Sequence, residues 1–108
     1  MMKLVEYLTT NGKSPFAKWY NSLNATIAAK IAVALIRMQQ GNFSNVKGVG
    51  AGVLEYRIGF GAGYRIYFAK DGDEIIILLA GGSKKRQQKD IENAKLYWHD
   101  YKQRKKEV

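Results

Sequence analysis

The amino-acid sequence predicts one α+β domain over residues 1–108, and three observations carry that reading. Apolar residues recur at helical spacing only in residues 15–40 and again after residue 83. Between these stretches, residues 53–80 alternate apolar and polar side chains between glycine turns, the pattern of antiparallel hairpins. A chain of 108 residues, 46% hydrophobic and 25% charged, holds one core and not two.

The elements follow in order. Residues 3–9 (KLVEYLT) alternate, with Tyr7 and Thr9 to one side, and predict a first strand broken by Asn11-Gly12. Ser14 is a good N-cap with Pro15 at the first helical position. Phe16, Trp19, Tyr20 and Leu23 then fall at i, i+3, i+4 and i+7, so a short amphipathic helix runs to about Ser22. Asn24 caps a second helix over residues 25–40, ended by Gly41. Its core stripe is Ile27, Ile31, Leu35 and Met38, widened by Ala28, Ala32 and Ile36. Such a helix is buried on more than one side or offers its spare side to a partner.

From Asn45 the pattern turns to β, with Gly48, Gly50 and Gly52 loosening the chain after a short strand at Val46-Lys47. Residues 53–60 put Leu54, Tyr56, Ile58 and Phe60 on one face and Glu55 and Arg57 on the other. After the Gly61-Ala62-Gly63 turn, Tyr64, Ile66 and Phe68 continue the apolar face, with Arg65 and Tyr67 opposite. Asp71-Gly72 makes a second tight hairpin, and residues 74–80 (EIIILLA) are apolar on both faces, as a central strand should be. Ser83 is the expected cap of a last helix with the stripe Ile91, Ala94, Trp98 and Tyr101. Trp19 and Trp98 lie on helical stripes and are expected in the core.

Composition excludes several classes. No apolar run approaches the roughly 18 residues that span a bilayer. The first residues lack the apolar centre of a signal peptide, and the expected address is the cytoplasm. There is no cysteine, hence no disulfide, thiolate chemistry or cysteine-type zinc site. Lys plus Arg number 18 against 9 Asp plus Glu, a net +9, which points to a polyanionic partner and first of all to nucleic acid.

Two clusters could carry chemistry. The hairpin register places Glu55, Arg57, Arg65 and Tyr67 together, away from the Leu54/Tyr56/Ile66/Phe68 face. With both N-terminal helices on the apolar face, this polar face is expected to lie open. Arginine suits phosphate oxygens because its planar fork donates two parallel hydrogen bonds; the bland alternative is a solvated ion pair. Lys84, Lys85 and Arg86 follow Gly81-Gly82-Ser83 and are expected in a helix's first turn. Cations there oppose the helix dipole, whereas free backbone N–H groups beside them suit a bound phosphate. Gly81-Gly82 would let a ligand approach the backbone. Asp71-Gly72-Asp73-Glu74 reads as a turn rather than a metal loop, and His99, the one histidine, as an ordinary surface or packed side chain. What remains is a site of positive groups, able to stabilise the transition state of RNA cleavage without metal or cofactor. A lysine crowded by cations, Glu55 or a tyrosine could move the proton.

The runs at residues 52–58 (GVLEYRI), 63–68 (GYRIYF) and 78–84 (LLAGGSK), with residues 87–91 and the Ser14-Pro15-Phe16…Trp19 start, resemble the RelE/ParE toxin superfamily. They are most similar to its HigB-like, addiction module killer protein branch. The resemblance covers nearly the whole chain. It implies a RelE-like α+β fold: two N-terminal helices packed on a twisted, mostly antiparallel sheet, plus a C-terminal helix. It implies a type II toxin neutralised by a helix-turn-helix antitoxin, reaching operator DNA only through that complex. RelE and HigB members cleave mRNA on the ribosome, so an endoribonuclease acting on mRNA and ribosome is the expected activity. ParE members instead inhibit DNA gyrase without cutting RNA, and a purely regulatory partner of the antitoxin is a third reading. By position, Arg57, Arg65, Lys84 and Lys47 are the implied catalytic residues, with Glu55, Tyr67, Lys85 and Arg86 around the substrate. The C-terminal tyrosine or histidine usual near the scissile phosphate has no evident match among Tyr97, His99 and Tyr101.

Overall fold

A computed structural model describes residues 1–107. The elements run β1 (Lys3–Glu6), α1 (Pro15–Asn21), α2 (Ala25–Gln39), β2 (Val46–Gly50), β3 (Val53–Ile58), β4 (Tyr64–Asp71), β5 (Ile75–Ser83), a 3₁₀ turn (Lys84–Arg86) and α3 (Gln87–Lys106). The strands form one mixed sheet in the order β1-β5-β4-β3-β2. β1 is parallel to β5 and the other three pairings are antiparallel.

Local chemistry explains the helix starts. The Ser14 hydroxyl accepts the Ala17 N–H and the Asn24 side chain accepts the Ile27 N–H, both at 3.0 Å, which satisfies donors a helix start leaves free. α3 begins otherwise. Ser83 is extended and its hydroxyl caps nothing, because Lys84–Arg86 form a 3₁₀ turn first. The three cations therefore precede the α-helix instead of filling its first turn, a correction to the sequence reading. The first and third strands are also shorter than their alternation implied: β1 stops at Glu6, and Phe60 lies past β3, partly exposed.

Helices cover both faces of the sheet. On one, α1 and α2 bring Phe16, Ile31, Ala34 and Met38 against Tyr56, Ile66, Phe68, Ile76 and Leu78. Fully burying a side chain such as Phe68 contributes about 1.5–3 kcal/mol. On the other, α3 lays Ile91, Ala94 and Trp98 over Val53, Tyr67, Ala69, Ile77 and Leu79. The polar face is thus not open. The length of α3 and its buried row of Ala94 and Trp98 demand a surface, and this face is the one α1 and α2 leave free. The spare side of α2 meets solvent, with Val33 and Ile36 about half exposed.

A bulge in β5 sets the site. Tyr67 opposes Ala80 while Phe68 opposes Leu78, so Leu79 is an extra residue. The bulge shifts the facing of everything after it. Gly82 then faces α3 and Gly81 faces α1. A β-carbon on Gly81 would lie 2.1 Å from the Trp19 ring, and one on Gly82 1.9 Å from the Asp90 carboxylate. The close approach read from these glycines is made by the protein's own side chains.

Candidate functional site

The β3–β4 hairpin pairs Arg57 directly with Arg65, and β2 pairs Lys47 with Glu55. Like charges directly opposite on two strands repel. Glu55 offsets this: its fully buried carboxylate lies 3.5 Å from Arg57 Nε and 3.7 Å from Arg65 Nε. Gln87, at the start of α3, donates Nε2–H to Glu55 Oε2 at 2.9 Å. Arg65 also donates to the Gly63 carbonyl at 3.1 Å, an oxygen that accepts the Lys84 backbone N–H at 2.7 Å. Gly63, in the left-handed region at φ 74°, thereby sets Lys84 beside Arg65.

One carboxylate between two guanidiniums leaves a net positive charge. Among the described residues, Lys47, Lys84 and Lys85 have no acidic partner, so the surplus grows at the rim. The structure thus brings Arg57, Arg65, Lys84 and Lys47 to one end of the sheet, but not as equals. Arg57 is half exposed, Lys47 and Lys84 are exposed, and Arg65 is buried apart from a tenth of its side chain. Glu55 and Tyr67 are fully buried, so in this structure neither touches an RNA. Glu55 contacts both arginines, and Tyr67 lies beneath them in the core under α3. Burial, followed by the Glu55 charge, holds the Tyr67 hydroxyl far above its ordinary range, and it has no hydrogen-bond partner. Arg86 turns toward Asp90, with Nε 3.9 Å from Oδ1.

The other proton-carrying candidates lie elsewhere. Tyr101 donates to Asp71 at 2.6 Å, and burial with that carboxylate pushes its hydroxyl up to about 12. Asp71 is six residues along β4 from Arg65, about 20 Å away at strand rise. Tyr97 stacks on Tyr7 with ring centroids 5.0 Å apart, and His99 is exposed on α3. Asp71-Gly72 is the hairpin turn expected, its carboxylate held by Tyr101 and Lys105.

Sequence reading missed Gln87 and Asp90. The available signal for Asp90 was its spacing: it stands at i, i+4, i+8 with Ala94 and Trp98, on the buried row of α3. Burial raises its carboxyl above the ordinary range, opposed by Arg86.

Fold and site together define a small basic α+β domain whose sheet end gathers cations around one buried carboxylate. The chain belongs to the phage-derived Gp49-like family (DUF891), which matches residues 18–101. An uncharacterized protein of Haemophilus influenzae is 44% identical over 82 residues, covering 75% of this chain and 83% of that one. Among the described residues, no helix is long and apolar enough to cross a membrane.

Proposed function

We propose that this protein is the toxin of a type II toxin–antitoxin system, acting as a metal-independent, ribosome-associated mRNA endonuclease. The observation that carries the reading is the charge balance at the hairpin end: two paired arginines share one buried carboxylate, with lysines unpaired around them. Such a site binds an anion, and most strongly one that gains charge in its transition state. Membership of the Gp49-like family, a toxin-like group, supports the toxin half of the proposal.

In the reaction the 2′-oxygen attacks the adjacent phosphorus while the 5′-oxygen leaves. Arg57 holds the phosphate oxygens, and Lys84 and Lys47 lie on either side. Arg65 and Glu55 position Arg57 and supply field. In this reading Lys84, set beside Arg65 through the Gly63 carbonyl, takes the 2′ proton, and a second amine or water returns one to the 5′-oxygen. A helix-turn-helix antitoxin would neutralise the site, and the pair would contact operator DNA.

The test is induction of wild type or Arg57→Ala in bacteria, with growth curves and primer extension on a translated message. Arrest and translation-dependent cuts are expected from wild type, with about 10²-fold less cleavage from the variant. Arrest by both on an intact message would remove the enzyme reading. One observation favours a runner-up, inhibition of a protein target such as gyrase: Val33 and Ile36 stand exposed on α2 between Lys30 and Arg37. Val33→Asp/Ile36→Asp abolishes arrest under that reading and leaves cleavage intact under the first.

A further inference from the structure

We propose that the outer face of α2 and the cleft beside it dock an acidic amphipathic helix of a protein partner, and that this helix competes with the phosphate ligand for Arg57. Docking rests on the α2 face alone, whereas the competition rests on the reading of Arg57 as an anion site.

α2 buries Ile31, Ala34 and Met38 against the sheet. Its opposite side keeps Ala29, Val33, Ile36 and Gln40 exposed, Val33 by 46% and Ile36 by 51%. Steps of four, three and four along a helix form the seam of a two-helix coil. Lys30 and Arg37 each follow a seam residue and so stand on one flank of it. Charges at such flanking positions choose the partner helix in a coil. Neither cation has an acidic partner among the described residues, and residues 7–54 contain no Asp or Glu. On the same flank a cleft of about 250 Å³ lies between α2 and the end of β3, lined by Lys30, Val33, Arg37, Arg57 and Ile58 among others. Phe60, also exposed, lies against Lys30, whose Nζ is 4.9 Å from the ring centre.

The mixture of side chains selects the occupant. Valine and isoleucine offer no ring on which a base can stack, so the seam is a poor surface for single-stranded RNA. A second copy of this chain has no acid on its own α2 to meet Lys30 and Arg37, and each copy carries a net +9. A helix with aliphatic residues on its seam and carboxylates on its flank matches both features at once. Arg57 makes the link to the site. It lines this cleft and also the neighbouring one that holds Asn45 and Lys47. A carboxylate that reaches Arg57 from the α2 side takes the guanidinium from a phosphate on the other. By linkage, the phosphate weakens the bound helix to the same degree.

The test displays a library of short helices with aliphatic seams, their flanking positions randomised among glutamate, glutamine and lysine. They are selected on wild type and on Lys30→Glu/Arg37→Glu, with thermal melts checking that each protein folds. Wild type is expected to enrich glutamate at the flank, and the charge-swapped variant lysine. The same enrichment on both proteins, or no selection on wild type, overturns the docking. A selected acidic helix is expected to bind Val33→Asp/Ile36→Asp at least about tenfold more weakly than wild type, and unchanged binding overturns the docking as well. An uncleavable 2′-O-methyl oligouridine is expected to weaken helix binding severalfold on wild type and not on Arg57→Ala. Equal helix binding with and without the bound oligonucleotide removes the competition. Wild-type dimers that Val33→Asp/Ile36→Asp dissolves, or oligonucleotide binding that it abolishes, make a second copy or RNA the occupant and overturn the proposal. A helix docked on a chain that never cuts RNA keeps the docking and removes the nuclease.

Discussion

The two faces of the sheet are built on different terms. Beneath α1 and α2 the buried residues are Phe16, Ile31, Ala34, Met38, Tyr56, Ile66, Phe68, Ile76 and Leu78, an interior that is apolar apart from the Tyr56 hydroxyl. Beneath α3 the apolar patch is bordered by Glu55, Arg65 and Asp90, the buried charged residues of the described chain. Glu55 Oε1, Arg65 Nε, Tyr67 Oη and Asp90 Oδ2 all lack hydrogen-bond partners. A stable core does not need such groups: a buried polar group with no partner costs about 1–3 kcal/mol, a cost that the ion pairs of Glu55 with Arg57 and Arg65 offset in part. The first face holds the fold together. The second gives up stability, and the proposed site accounts for it.

This contrast can be broken or sharpened by mutation. The largest effect is expected on the apolar face: Phe68→Ala should cost about 3–5 kcal/mol in urea unfolding, through lost burial and the cavity left behind. On the polar face Glu55→Leu should cost roughly 3 kcal/mol, because it leaves Arg65 buried and unpaired. The double variant Glu55→Leu/Arg65→Met should recover that loss, or exceed wild type by about 1 kcal/mol, while abolishing growth arrest. A double variant as toxic as wild type would show that the buried pair serves the fold alone.

Smaller effects separate two carboxylates by sign. The Asp90 carboxyl is raised by burial, so its native form binds a proton that the unfolded chain has released. Stability from this group is present below the unfolded value of 3.8 and is lost as pH rises through the native one. Asp90→Asn should therefore melt higher than wild type at pH 7 and converge with it below pH 3.8. Asp71 goes the other way: hydrogen bonds from Lys105 and then Tyr101 hold its carboxyl below the ordinary range. Its contribution is present above 3.8 and is lost as pH falls. Asp71→Asn should melt slightly lower at pH 7 and match wild type in acid, a difference reduced by salt because the pair is exposed.

How much of this was legible in the sequence depends on which physics each residue obeys. The order of elements, both N-terminal caps and the Arg57–Arg65 register follow from local rules: side-chain period, capping chemistry and turn residues. The covering of the polar face does not, because it depends on where α3 docks, and Val53, Tyr67 and Ala69 reveal that only once the sheet is assembled. The Leu79 bulge is likewise silent in an all-apolar run, yet it aims Gly81 at Trp19 and Gly82 at Asp90. Glu55 read as one charge on an open surface. Its role as a buried counter-ion for both arginines became visible only with the third dimension.

The parallel pairing of β1 with β5 also governs when the molecule comes into being. Lys3 to Glu6 find their partners at Ile75 to Leu78, and Glu55 finds Gln87 later still. A ribosome must extrude most of the chain before the sheet can close, and α3 must follow before the arginines are set. Contacts this distant along the chain slow folding. A nascent fragment that ends before these partners therefore has neither a closed sheet nor the Gln87 hydrogen bond that holds Glu55 between the arginines.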